Sequence, residues 1–156
     1  MKLHGTMAIN EWGHLQIGGC DAVKLAHEFG TPLYVMDEDE IRRVCREYKA
    51  AFTDAAGAEV IYASKAFMNL AICRIIEQEG LSIDVVSGGE LYTAIKAEFP
   101  ASRIYFHGNN KQVEELKMAL EYQAGRIVVD NFRELDLLNY LAGQLKQRPK
   151  VLLRLT

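Results

Sequence analysis

The sequence predicts an α/β protein built from a repeated strand–helix unit, and three observations carry that expectation. Short runs begin near Val60, Ile83, Ile104, Ile127 and Val151, at spacings of 23, 21, 23 and 24 residues. Amphipathic stretches near 67–79, 90–97, 111–123 and 132–146 lie between them. The runs are nearly all apolar, as in Ile127-Val128-Val129 and Val151-Leu152-Leu153, which suits parallel strands covered by helices. Alternating βα units with short connections mean either a doubly wound sheet or a closed barrel. Even spacing, with no G-x-G-x-x-G and no G-x-x-x-x-G-K-[ST], favours a (β/α)8 TIM-type barrel. Such a barrel takes about 250 residues. The 156 residues here supply five strands and about four βα units. The expectation is therefore the N-terminal half of a barrel over 37–156, truncated at the fifth strand. A short extension, 1–36, is expected to contribute strands to a separate β-domain.

In chain order, Trp12 to Gly19 alternates like a short strand and ends in a Gly-Gly turn. Asp21 is placed to cap a helix over Ala22–Phe29, which Gly30 and Pro32 close. Leu33-Tyr34-Val35-Met36 reads as a second strand. Asp37 caps a helix over Glu38–Phe52, with Ile41, Val44, Cys45, Tyr48 and Phe52 along one stripe. Glu38, Asp39 and Glu40 fall in its first turn and oppose the macrodipole, so they read as a helix start and not a metal site. Further on, Ser87-x-x-Glu90 and Asn131-x-x-Glu134 read as capping boxes or close relatives, and Gly80 and Gly125 as helix stops.

Composition narrows the class. Apolar content of 49% and charged content of 25% are those of a soluble globular protein. A net charge of -3 gives no reason to expect nucleic acid or an anionic membrane as partner. The first seven residues contain no apolar signal-peptide core, and no apolar run approaches the ~20 residues of a membrane span. Cys20, Cys45 and Cys73 are odd in number and widely spaced. They fit reduced thiols in a cytoplasm better than a disulfide framework or a zinc site, and no residue is assigned to a metal.

Polar groups gather where the strands end. Val60-Ile61-Tyr62-Ala63-Ser64-Lys65 ends in a lysine, at the rim where barrels do chemistry. A partly desolvated amine there can lose its proton near neutral pH and condense with a carbonyl. The plainer reading of Lys65 is a surface lysine opening a helix. Asp84 interrupts an apolar strand and would be costly to bury unpaired, which makes Lys65 the natural cation to accompany it. Ser87 and Asn131 read first as helix caps. Gly88-Gly89 is a lesser candidate for holding an anion. His107 is either a wall residue or a proton-handling group. Asp130 and Asn131 follow the fourth strand. Arg154, followed by Leu155 and Thr156, interrupts the fifth and is suited to an anionic or phenolic oxygen.

Several segments resemble a known family. Tyr62-Ala63-Ser64-Lys65-Ala66 resembles the lysine motif of pyridoxal-phosphate decarboxylases built on the alanine-racemase-like barrel. Gly80 to Leu91, Ile104 to Lys111 and Val128-Val129-Asp130-Asn131 are similar to segments of the diaminopimelate decarboxylases, as is Pro32 to Asp37. The resemblance spans about Trp12 to Thr156. It implies a pyridoxal 5'-phosphate-binding barrel with a separate β-domain. It also implies that Lys65 holds the cofactor as a Schiff base, with Asp84 beside that lysine and Arg154 near the ring substituents. His107 joins them as a cofactor-binding candidate. The implied reaction is decarboxylation of meso-2,6-diaminopimelate to L-lysine by a homodimer. The phosphate-binding glycine loop, the histidine on the ring and the glutamate on the ring nitrogen are expected in later segments. Decarboxylases of the same fold acting on ornithine, arginine or carboxynorspermidine are the nearest alternative. A non-catalytic pyridoxal-phosphate-binding barrel and a scaffold half-barrel are the others.

Overall fold

A computed structural model describes residues 2–155. The chain opens with a small antiparallel sheet, β1 (Ala8–Ile9), β2 (Leu15–Ile17) and β3 (Cys20–Asp21), in the order β1-β2-β3. Gly18 and Gly19 both take positive φ, 56° and 76°, between β2 and β3, the combination that a two-residue hairpin turn requires. Asp21 then caps α1 (Ala22–Phe29): its Oδ1 accepts from the Val23 and Lys24 N–H groups at 2.8 and 3.1 Å. Its Oδ2 accepts from Asn10 Nδ2 and meets His14 Nδ1 at 2.9 Å, and the His14 contact draws the carboxyl down to about 2. One side chain thus joins the sheet to its helix.

Leu33–Met36 departs from expectation. It is not paired in a sheet, and Tyr34 is 96% exposed. Apolar alternation favours extension, but a strand also needs a neighbour to complete its ladder. None of the described residues supplies one.

Asp37 caps α2 (Glu38–Tyr48) by accepting from Glu40 N–H at 3.1 Å. Thr6 Oγ1 donates to the same carboxylate and accepts from Gly18 N–H at 2.7 Å, tying the N-terminal hairpin to the start of this helix. The regular helix ends at Tyr48, short of the expected Phe52, and passes into a π-helical turn over Lys49–Asp54. Along the expected stripe Cys45 is buried, while Tyr48 and Phe52 are half exposed and stack on each other at 6.0 Å.

The five predicted parallel strands follow: β4 (Ile61–Ala63), β5 (Ser82–Val85), β6 (Ile104–Phe106), β7 (Arg126–Val129) and β8 (Val151–Leu153). Their order in the sheet equals their order in the chain. The intervening helices are α3 (Leu70–Gln78), α4 (Gly88–Lys96), α5 (Val113–Glu121) and α6 (Phe132–Gln144). Among the described residues no helix is long and apolar enough to cross a membrane.

The register puts Val85, Phe106 and Ile127 in one layer and Ile83 and Ile104 in the next. These side chains form a fully buried core with Ile76, Leu91, Leu116, Leu120 and Leu138 from the helices. The other sheet face carries Ala63, Asp84 and Tyr105 in register, and no helix among the described residues covers it. Leu152 and Leu153 of β8 are 44% and 62% exposed. Beside β4, Ile41, Val44 and Tyr48 of α2 and Val60–Ala63 line an apolar groove of about 440 Å³.

Each covering helix ends in a left-handed residue: Gly80 (φ 77°), Glu98 (57°), Gln123 (59°) and Lys146 (53°). Only the first is glycine, so the glycine signal marks one stop in four. Gly125 has a different cause: a Cβ there would lie 2.1 Å from the Ser102 carbonyl oxygen. Replacing exposed Lys146 by glycine should stabilise the assembled protein by about 0.5 kcal/mol. That is the left-handed penalty of about 1 kcal/mol less the added backbone entropy of glycine. The readout is a higher urea midpoint at unchanged slope, whereas Gly80→Ala should lower it.

Candidate active site

The strand ends converge on the rim formed by the C-terminal ends of the sheet. After β4 the chain makes a 3-10 turn, Ser64–Ala66, which carries Lys65 at its centre. Two contacts brace this turn. The Tyr62 hydroxyl donates to the Phe67 carbonyl at 2.9 Å, and buried Ser64 donates from Oγ to Glu90 Oε2 at 2.8 Å. Lys65 itself is exposed and makes no ion pair among the described residues. Its amine is therefore free to react, in contrast to a lysine already saturated with acceptors.

Asp84 lies half-buried on β5, flanked in register by Ala63 of β4 and Tyr105 of β6. Burial pushes its carboxyl above the usual carboxylate range. His107 opposes that shift, Glu90 adds to it, and Lys65 opposes it at longer range. The nearest basic side chain is His107, whose Nδ1 stands 4.0 Å from Asp84 Oδ2. Lys65 was expected in that place. β4 passes into the 3-10 turn at Ser64 and Lys65 does not line the hollow that holds Asp84, whereas His107, the residue just past β6, does. The His107 N–H donates to the Val85 carbonyl at 2.8 Å, which fixes this backbone to β5.

Asp84 and His107 both line a hollow of about 270 Å³ on the uncovered sheet face, with Ile61, Ala63, Tyr105, Val128 and Leu152 as its walls. Arg154 does not line it. Its N–H extends the ladder to the Val129 carbonyl, and its guanidinium reaches Asp130 Oδ1 at 3.0 Å. Asp84 and His107 thus come together, Lys65 acts on Asp84 electrostatically, and Arg154 is held by the end of the neighbouring strand. Thr156 lies outside the described residues.

Two helix starts differ from the capping-box reading. Ser87 Oγ does accept from Glu90 N–H, at 3.3 Å, but Glu90 does not return to Ser87. Its Oε2 accepts from Val86 N–H at 2.6 Å and from Ser64, linking the ends of β4 and β5. Asn131 likewise accepts from Glu134 N–H at 2.9 Å, while the Glu134 carboxylate turns to Lys111 at 2.7 Å. The Gly88 N–H, considered for an anion, donates to Glu115 Oε1 at 2.5 Å. A polar residue three places into a helix signals a cap, and nothing local reveals a stronger partner from another unit.

The three cysteines are free thiols. Cys73 is fully buried, and burial pushes its thiol up to about 11, which removes it as a nucleophile. What the rim offers is an accessible primary amine two residues past Ala63, and Ala63 lines a hollow that also holds a carboxylate and an imidazole. That set suits an aldehyde-bearing cofactor. Of the Gly88-Gly89 pair considered for an anion, the Gly88 amide is already engaged.

Comparison with known proteins agrees with that chemistry. Residues 38–156 match the family model for the pyridoxal-dependent decarboxylase, pyridoxal binding domain. The chain is 57% identical over its full length to a diaminopimelate decarboxylase of Bacillus subtilis and 54% identical to that of Bacillus methanolicus. It spans about 36% of the length of each. A diaminopimelate decarboxylase of M. jannaschii, solved in complex with L-lysine, superposes with a TM-score of 0.84 at 40% identity. That match covers 96% of this chain and 35% of the solved one.

Proposed function

Because the chain belongs to the pyridoxal-dependent decarboxylases through their pyridoxal-binding domain, we propose that it supplies the cofactor-holding lysine of a diaminopimelate decarboxylase. The reaction is loss of a carboxylate from meso-2,6-diaminopimelate to give L-lysine. The observation that carries this reading is Lys65, exposed on the turn after β4, the strand whose Ala63 is in register with Asp84 of the half-buried Asp84–His107 pair.

Bound pyridoxal phosphate supplies the electron sink for the electron pair left when carbon dioxide departs. This chain's residues have separate tasks around it. Lys65 Nζ holds the cofactor covalently, and the Ser64 and Tyr62 contacts keep its turn in place. Asp84 provides a negative charge on the sheet face that favours a protonated nitrogen close by. His107 moderates that charge and forms one wall of the hollow. Arg154, oriented by Asp130, presents a fixed cation at the rim. Ile61, Val128 and Leu152 give this face its apolar walls.

The same reading assigns residues 1–36 to a β-domain distinct from the barrel over 37–156, and the antiparallel sheet β1–β3 supports that division. A homodimer and a cytoplasmic location complete the proposal, the latter supported by three unpaired thiols. The alternative within the family is action on ornithine or a related polyamine precursor. Identity above 50% over the whole of this chain, about 36% of each relative, to diaminopimelate decarboxylases favours the first reading. Carbon dioxide release from meso-diaminopimelate, ornithine and L-lysine by the cofactor-loaded enzyme is the direct test. Diaminopimelate should be turned over fastest, and faster release from ornithine would transfer the protein to the polyamine branch.

A further inference from the structure

A buried ion pair stands beside the hollow, and no step of the proposed chemistry uses it. Lys111 follows the loop His107-Gly108-Asn109-Asn110, and its side chain is only 1% exposed. The Nζ donates to the Gly108 carbonyl at 2.6 Å and to the Val128 carbonyl at 2.7 Å, and it meets Glu134 Oε1 at 2.7 Å. An ammonium has three N–H bonds, and three oxygens surround this one. The Phe106 ring closes a further side, its centroid 5.7 Å away. Oε1 of Glu134, shielded from solvent, has no hydrogen-bond partner among the described residues, so the Lys111 ion pair is what compensates it.

The three oxygens come from three parts of the rim: the loop after β6, strand β7 and the first turn of α6. Burying a charge is costly unless every partner is present, so the arrangement holds those parts in one fixed relation. Gly108 adds a second constraint. Its φ is +112°, and a Cβ there would meet the Val86 carbonyl oxygen at 3.1 Å, so the loop lies close against the end of β5. We infer that Lys111 is a positioning residue. Its ammonium clamps the 107–110 loop to β7 and α6, and so sets where His107 stands relative to Asp84. The consequence for turnover rests on the decarboxylase reading; the clamping does not.

Hydrogen exchange on the assembled, cofactor-free protein separates positioning from general stability. Lys111→Met combined with Glu134→Met removes both charges at similar volume but leaves the Gly108 and Val128 carbonyls without their donor. The His107 amide, which donates to the Val85 carbonyl at 2.8 Å, should then exchange at least about tenfold faster, while those of Ile83 and Val85 stay within about twofold of wild type. Uniform acceleration, or none at His107, overturns the assignment. Glu134→Gln, which disturbs only one of the three partners, guards against a double variant that does not fold. A rise confined to His107 supports the clamp, and its absence counts against it. In the loaded enzyme the double variant should lose about tenfold or more in kcat with KM within about threefold. Faster loop exchange with unchanged kcat overturns the link to His107. If wild type releases no carbon dioxide from diaminopimelate, the decarboxylase reading fails, while the exchange data still decide the clamp.

Discussion

Lys65→Ala should abolish the borohydride-stable attachment of pyridoxal phosphate and lower turnover by about a thousandfold or more, roughly 4 kcal/mol of transition-state stabilisation. The expectation follows from the accessibility of amines on this rim. Lys65 is exposed at a strand end, with no ion pair among the described residues. Lys111 is nearby, but its ammonium donates to two backbone carbonyls, pairs with Glu134 and is buried. Lys96 lies in the last turn of α4 and packs over the Tyr92 ring, with its nitrogen 5.3 Å from the centroid. Reduction of the loaded wild-type enzyme followed by peptide mapping should therefore place the label on Lys65. A label on Lys111 or Lys96, or full turnover by the alanine variant, would remove the basis of the assignment.

A polypeptide of these 156 residues alone should neither decarboxylate diaminopimelate nor hold the cofactor tightly. Both outer strands of the parallel sheet have an unpaired side: β4 on the side of the apolar groove, and β8 with Leu153 exposed. The sheet face bearing Asp84 has no covering layer, and Tyr48, Phe52 and Leu152 are roughly half exposed. At about 25 cal/mol per Å², a few hundred Å² of such surface costs several kcal/mol. That is a large part of the roughly 5–15 kcal/mol that stabilises a typical domain. Free ladder groups also invite pairing between copies. Gel filtration and urea titration should show self-association or a broad, weakly cooperative transition. A monodisperse monomer that unfolds in one step and releases carbon dioxide from diaminopimelate would contradict this outcome.

What the sequence made legible was local and periodic. The five strands begin within a residue or so of their expected starts, because an apolar run between turn residues has few other ways to fold. Asp21, Asp37, Ser87 and Asn131 all cap the helices expected of them, since a cap needs only an oxygen a few residues from a free N–H. The misreadings concern partners chosen across units. Glu90 and Glu134 sit at capping-box positions, yet they bind Ser64 and Lys111, respectively 26 and 23 residues away. Asp84 was assigned a lysine and meets a histidine, because the choice depends on how far each strand runs before it turns. Leu33–Met36 had the alternation of a strand but no neighbour. Lys111 carried no signal at all: the sequence offers no sign that a lysine in an Asn-Asn-Lys loop is buried.

The sheet order has a kinetic consequence. Register partners in neighbouring strands are 21 to 24 residues apart, so each strand docks on the one synthesised just before it. Contacts of this range cost little loop-closure entropy and favour fast folding. At about 5–20 residues per second, a ribosome delivers each new unit roughly one to five seconds after the last. The growing sheet can therefore add strands in register as they emerge. Its leading edge stays exposed only until the next strand arrives, whereas the outer side of β4 must wait for a partner that none of these units provides.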